Sequence, residues 1–260
     1  MKKLEDHFHL GMKYFTDIKL IPEAKKEKLQ HLDRFISGIP FFGLNGVMGS
    51  KDIKDNHDKQ VKDQINFFKK YSLPFCWYLD ENSNPKLEKT LTENGFTNIG
   101  IFRGVIGQLD KNLLTAPEVK GYTFELVTTQ QGLKEFNDVV CDVFHLQDTA
   151  RKMYGEVIAI SLKNKDPLLL NWVARYNGKV VSTLSTLIKD GTMSFWNGAT
   201  LEEHRRKGLS GYLRRLSVED ALKRGCTHGT SYLMSEGKAF GVCSKLGFTT
   251  KWRFNAYIAP

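Results

Sequence analysis

Cysteine is sparse. The 260 residues contain four (Cys76, Cys141, Cys226 and Cys243), far apart and with no Cys-x-x-Cys pair. A chain of this length has no need of disulfide staples, so all four are expected as free thiols. The seven histidines show no zinc-type spacing, and His7 and His9 lie two apart, on different faces of a helix. No metal site is expected. Long apolar runs are also missing, and none approaches the roughly 18 residues of a membrane-spanning helix. The opening Met1-Lys2-Lys3-Leu4-Glu5-Asp6 puts acids where a secretory signal needs its apolar core, so the expectation is a soluble, cytoplasmic protein with no membrane partner.

What is present is an ordinary globular composition, 41% hydrophobic and 26% charged, which excludes disordered, collagen-like and fibrous chains. The length suits one large domain or two modest ones. Lys and Arg number 38 against 29 Asp and Glu, a formal net charge of +9. That excess fits nucleic acid, a membrane surface or a phosphorylated ligand and selects none of them. Much of it is scattered lysine. No basic stripe interleaved with aromatics is present, so nucleic acid is not the expected partner.

Periodicity supplies the elements. Leu4, Phe8, Met12 and Phe15 have helical spacing, and Leu29, Leu32 and Ile36 predict a helix starting near Pro22-Glu23. Val61, Ile65 and Phe68 mark a third helix, behind possible caps at Asn56 and Asp58. A strand over Pro74–Leu79, a helix over Pro85–Asn94 and a strand over Ile99–Ile106 follow. The stretch Asp110–Gly121 has few bulky apolar groups, which sets a domain boundary and predicts domains over 1–115 and 116–260.

The second part opens with a strand over Tyr122–Val127 and helices over Gln130–Phe144 and Thr149–Leu162. Three strands come next, Leu168–Tyr176, Val180–Ile188 and Met193–Asn197, joined through Asn177-Gly178 and Asp190-Gly191. Asn-Gly and Asp-Gly supply the positive φ angles that two-residue hairpin turns demand. An amphipathic helix with Leu209, Tyr212, Leu213 and Leu216 on one stripe ends near Gly225. A strand over Thr230–Met234, a short helix over Ala239–Leu246 and a strand over Arg253–Ile258 close the chain. An internal repeat runs through it. Setting Gly95-Phe96-Thr97 on Gly247-Phe248-Thr249 also pairs Lys86 with Lys238 and Phe102 with Phe254, which reads as a duplicated α/β fold.

The informative segment is Arg205-Arg206-Lys207-Gly208-Leu209-Ser210-Gly211, between a strand and a helix. A helix start leaves amide N–H groups unpaired and carries partial positive charge. Glycine lets backbone approach a ligand, and the small Ser210 and Gly211 leave room beside it. Such a turn can hold phosphate oxygens, with Arg205, Arg206 and Lys207 adding countercharge. A solvated basic run at a helix start is the plainer alternative.

This segment resembles the acyl-coenzyme A loop of the GNAT N-acetyltransferase superfamily, Arg/Gln-x-x-Gly-x-Gly/Ala, with Ser210 in the last small place. The element order over Gly121–Pro260 and the closing Lys245-Leu246-Gly247-Phe248 are similar to that family as well. The resemblance implies an α/β (α+β) mixed-sheet GNAT fold, in tandem with a degenerate N-terminal copy. It implies acetyl-CoA or another acyl-CoA as co-substrate, its diphosphate on the amides of Arg206 through Gly211, Leu209 included, and its pantetheine bonded near Ala199 and Thr200. The activity implied is direct acyl transfer to a small-molecule or peptide amine in a ternary complex, which needs a free amine, an oxyanion donor and an acid for the departing thiolate.

The departures from the pattern lie in the catalytic groups. Cys243 stands where many members of the family carry a proton-donating tyrosine; a thiol can donate, and a small buried residue is the plainer role for it. Ser244 and Tyr232 are substitutes for the acid, and Glu203 or Glu202 a base acting through water. Asp142 and His145 are expected in surface or core duty, and Asp220 in a structural hydrogen bond. The first half has a Gly-rich run, Gly43–Ser50, without the Arg-x-x-Gly spacing, so it is expected to have kept packing and lost the cofactor. Competing readings are an inactive acyl-CoA-binding or scaffold protein of this fold, and an aminoacyl-tRNA-dependent transferase of the Fem kind, which usually lacks an intact acyl-CoA loop.

Overall fold

The computed structural model describes residues 14, 24–49, 56–83, 85–110, 116–163, 168–234, 238–245 and 247–260. The helix expected over Leu4–Phe15, the pair His7 and His9, the start at Pro22-Glu23 and residue Leu246 lie outside them, Tyr14 apart. The chain forms two compact units, one of residues 1–104, 232–240 and 250–260, the other of 105–231 and 241–249.

In the first unit, strands β1 (Lys25–Lys28), β2 (Asp33–Ile36) and β3 (Asn45–Met48) form an antiparallel meander. Helix α1 (His57–Lys70) carries the chain over to β4 (Cys76–Asp80), parallel to β3. Parallel neighbours need such a crossover. Helix α2 (Pro85–Glu93) and strand β5 (Thr97–Gln108) follow. The final strand of the chain, β11 (Thr249–Ile258), lies antiparallel to β4, with Phe254 opposite Asp80 and Ile258 opposite Cys76. Its core gathers Ile36, Val47, Phe68, Trp77, Leu87 and Tyr257. Phe68 stacks on Phe75 with centroids 4.2 Å apart, and Phe102 on Phe254, the two residues that the repeat pairs, at 5.5 Å.

The helix expected over Leu29–Ile36 is replaced by β1 and β2. Leu29 and Leu32 flank a tight reversal closed by Leu29 N–H donating to the Leu32 carbonyl, 2.8 Å, so their spacing of three comes from a turn. Pairing of β2 with β3 then buries Phe35 and Ile36 completely. The Gly-rich run is structural too. Gly46 sits inside β3, where a Cβ would come within 2.5 Å of the Cys76 carbonyl oxygen on β4.

The second unit opens with β6 (Thr123–Leu126), α3 (Gln130–Phe144) and α4 (Asp148–Ala159), the last continued by a 3-10 turn to Leu162. The Thr129 hydroxyl caps α3 by accepting from Gly132 N–H at 3.1 Å. Strands β7 (Leu169–Tyr176), β8 (Lys179–Lys189) and β9 (Thr192–Thr200) form a second meander. Asn177-Gly178 and Asp190-Gly191 turn it, all four with positive φ. Helix α5 (Leu209–Lys223) crosses to β10 (His228–Met234), parallel to β9 from His228 opposite Thr192 to Ser231 opposite Phe195. Helix α6 (Lys238–Lys245) precedes β11. Meander, parallel crossover, helix and strand thus occur twice, and the duplicated fold is present in the topology.

The units are not the consecutive segments 1–115 and 116–260. The closing strand of the second copy (250–258) belongs to the first unit because it pairs with β4, while residues 105–108 of β5 belong to the second. Leu109 N–H donates to the Thr227 carbonyl at 2.9 Å within that second unit.

Phe248, the aromatic of Gly247-Phe248, is seated by two glycines of the second unit. A Cβ at Gly229 would lie 2.5 Å from Phe248 Cζ and 2.9 Å from Leu109 Cδ2, and one at Gly107 would meet the same ring. Gly229→Ala is expected to cost about 1–3 kcal/mol through overpacking, lowering Tm by several degrees. Thermal unfolding followed by circular dichroism checks this, and an unchanged Tm would show that the ring relocates freely.

Candidate functional site

The site is built where β9 ends and α5 begins. Asn197 has φ +52°, and the β8–β9 register shifts there: Thr183 faces Ala199 while Ser185 faces Trp196. Asn197 and Gly198 together thus oppose Leu184 alone, which is a β-bulge. Side chains pin it. Asn197 Oδ1 accepts from the Tyr154 hydroxyl, Nδ2 donates to Ser185 Oγ at 2.8 Å, and the Asn197 carbonyl accepts from Thr183 Oγ1 at 2.9 Å. Ser185 Oγ in turn donates to Asn171 Oδ1 at 2.7 Å, and Asn171 Nδ2 to Ser161 Oγ at 3.0 Å. This chain of polar groups crosses the sheet under the bulge.

Beyond it, Ala199 and Thr200 are fastened to β8. Ser182 Oγ donates to the Ala199 carbonyl at 2.9 Å and lies 2.7 Å from Thr200 Oγ1. The β9–β10 register ends at Phe195 opposite Ser231, although β9 runs on to Thr200. The edge of β9 that faces away from β8 therefore has no ladder partner among the described residues of this unit. A strand edge of this kind presents free N–H and C=O groups to an extended ligand.

The connection is a 3-10 turn, Glu202–His204, followed by Arg205–Gly208. His204 anchors it: its Nδ1 is 2.9 Å from the Tyr122 hydroxyl, and its ring packs against Tyr122 and Tyr176. Arg205 folds back, with Nε donating to the Thr200 carbonyl at 3.0 Å. Arg206 (φ +64°) and Gly208 (φ +87°) are both left-handed, and Gly208 is the N-cap of α5. Left-handed residues set among right-handed ones turn successive amides toward one concavity that suits an anion.

The first helical hydrogen bond of α5 runs from Tyr212 N–H to the Gly208 carbonyl, 3.0 Å. No side chain caps the helix, and no acid lies in its first turn. The amides of Leu209, Ser210 and Gly211 precede that bond and so have no intrahelical acceptor. Arg206 and Lys207 are exposed beside them. A helix start with free amides, flanking cations and no competing carboxylate has the electrostatics that suit an anion. Arg205, Arg206, Lys207, Gly208, Leu209, Ser210 and Gly211 thus come together with Ala199 and Thr200.

Of the expected catalytic residues, Glu203 is exposed in the 3-10 turn itself. Tyr232 belongs to the first unit, where its ring packs with Trp252 and Phe254. Cys243 is fully buried, and burial pushes its thiol up, against the lowering effects of Arg214 and of a hydrogen bond with Ser231. It therefore stays a thiol at neutral pH. Asp142 is paired with Arg151, His145 is the left-handed C-cap of α3, and Asp220 accepts from Arg224 Nε at 2.7 Å.

No protein-family model matches the chain, and no curated protein matches it in sequence. Solved structures do match in shape. A conserved protein of unknown function from Staphylococcus epidermidis aligns with TM-score 0.70 at 14% identity, over 94% of this chain and 97% of that one. A GCN5-related N-acetyltransferase from Kribbella flavida aligns at 0.63 and 17% identity, over 95% and 94%. A tandem GNAT protein from the clavulanic acid biosynthesis pathway aligns at 0.57 and 11% identity, over 98% and 96%. The chain has the GNAT fold. Within that GNAT fold, the bulge at Asn197 and the free amides of α5 lie at adjacent ends of one strand–turn–helix unit. Sequence reasoning found the turn and missed the bulge. The signal was present, since Asn197-Gly198 inside a strand marks an irregularity. Arg214 was missed as well, because beside Arg215 it reads as part of a solvated face.

Proposed function

We propose that the protein is an N-acyltransferase that uses an acyl-CoA, with acetyl-CoA the first candidate, and moves the acyl group to a small-molecule or peptide amine in one ternary complex. The observation that carries this reading is the uncapped, acid-free N-terminus of α5 behind two left-handed residues, on a GNAT fold. The residues fit the group. The amides from Arg206 to Gly211 would receive the diphosphate, Arg206 and Lys207 would neutralise it, and the open edge of β9 at Ala199 and Thr200 would take the pantetheine amides. When bound, the thioester supplies an activated carbonyl carbon. The chain's own part is to hold that carbonyl still, exclude water and accept a neutral amine, so that orientation replaces a bimolecular encounter.

A specific observation favours a second reading. Cys243, in the place of the family's proton-donating tyrosine, is fully buried, and burial pushes its thiol up, away from the site's solvent. An acyl-CoA-binding protein without turnover has the same cradle. Incubating the full chain with acetyl-CoA and a panel of amines, while following free thiol with a chromogenic disulfide, separates the two. All four cysteines are buried, so the protein's own background is expected to be small. The expected result is amine-dependent thiol release together with a calorimetric heat of CoA binding. Binding without release on any amine selects the second reading, and the absence of both removes the proposal.

A further inference from the structure

Arg214 is the most anomalous charged residue in the described structure. It lies on α5 with 3% of its surface exposed, and its Nε and Nη1 have no hydrogen-bond acceptor among the described residues. Its guanidinium lies over the Phe195 ring, with Cζ 4.7 Å from the centroid. Nη2 faces β9, where it would be 3.8 Å from a Cβ on Gly198. Burial draws its proton affinity down and the neighbouring Cys243 opposes this, yet arginine keeps its charge in proteins. An unpaired buried charge is among the most costly features a core can hold. Such a cost persists where the charge has a partner in another state of the molecule.

The place identifies that partner. Gly198 is the exposed half of the β9 bulge, and it puts no side chain between its own exposed backbone and Nη2. A pantetheine arm is an extended chain of two amides. Alongside a strand rising about 3.3 Å per residue it covers about four to five residues. Laid back along β9 from Thr200, where the acyl-CoA reading starts it, it would bring its sulfur to Trp196–Asn197, beside Gly198. Resting on the acyl-CoA reading above, we propose that Arg214 is the residue that receives the leaving thiolate of CoA, so that its charge gains a partner as the thioester breaks.

The step balances without a proton donor. The amine nitrogen bonds to the carbonyl carbon, the C–S bond breaks, its electron pair stays on sulfur beside the guanidinium, and the surplus ammonium proton passes to water. Cys243, sealed and protonated, is not needed as an acid. The interaction is stronger in the transition state than in the bound thioester, which is the condition for accelerating the reaction. Buried guanidinium, missing tyrosine and open bulge then have one explanation.

The test reads the sulfur directly. Complexes of the full chain with CoA and with desulfo-CoA, which lacks the thiol, are titrated from pH 6 to 10, and thiolate absorbance near 240 nm is taken as their difference. The subtraction cancels the protein's cysteines. The bound thiol is expected to ionise at least one pH unit below free CoA, a tenfold or larger preference for thiolate. In Arg214→Met it ionises at or above the free value, with kcat reduced at least 100-fold and the affinity for desulfo-CoA unchanged. Gly198→Ala adds a Cβ at ordinary contact distance and is expected to move the midpoint part of the way back while the fold stays intact. Equal midpoints in wild type and in both variants, with desulfo-CoA still bound, overturn the role of Arg214 alone. Failure of wild type to bind either ligand overturns the acyl-CoA reading, and this proposal with it.

Discussion

Gly208→Asp is expected to abolish measurable CoA binding while leaving the protein folded. At φ +87° most residues would be strained by about 1–2 kcal/mol, but aspartate tolerates the left-handed region better than most. Its carboxylate stands at the N-terminus of α5, where the unpaired amides and the helix dipole attract a negative charge. The anion site is then filled by the protein's own charge. Each amide withdrawn from a charged ligand is worth about 1.5–3 kcal/mol, so losing two weakens CoA at least about 100-fold before repulsion is counted. Among the described residues, the new Cβ meets Val119 Cγ2 at 3.4 Å and nothing else within 4 Å. Calorimetry with CoA, run beside thermal unfolding, gives the result. Unchanged affinity at unchanged Tm would show that the diphosphate lies elsewhere.

That the turn could be read from sequence, and its chemistry only in part, follows from what local patterns encode. Hairpins at Asn177-Gly178 and Asp190-Gly191 declare themselves because positive φ is a property of two residues. Helix α3 has the limits expected for it, Gln130 to Phe144, because its apolar spacing and its cap at Thr129 are local. Phe144, which shares by its spacing the face of the buried Leu133, Phe136 and Val140, is nevertheless 42% exposed, since the helix ends there. Nonlocal facts were out of reach. Nothing near residue 250 says that β11 will pair with β4, and Leu29, Leu32 and Ile36 imitate a helix because a turn happens to separate two strands. Burial of a charge is nonlocal too. Arg214 and Arg215 are indistinguishable as letters, and only the position of Phe195 and Gly198 across the unit makes one of them a candidate for chemistry.

The second large effect is expected at the bulge. Asn197→Val places a β-branched residue at φ +52°, which only a few polar residues and glycine adopt readily. It also deletes the bonds to Tyr154 and Ser185. Strain of about 1–2 kcal/mol and two lost hydrogen bonds at about 1 kcal/mol each sum to about 3–4 kcal/mol, a Tm decrease of about 10 °C. Asn197→Gly keeps the backbone and loses only the bonds, so its expected decrease is about half as large. The functional consequence goes further than stability. If β9 relieves the strain by expelling the extra residue, Ala199 and Thr200 slip by one position, and a one-residue slip turns every side chain to the opposite face. Ala199, now 4% exposed, would leave the core, and the free edge of β9 would no longer present the same groups beside α5. CoA affinity should therefore fall at least tenfold in the valine variant and hold in the glycine variant. Calorimetry on the three proteins at a temperature where all are folded decides it: equal affinities would detach the bulge from ligand binding and leave it a feature of packing alone.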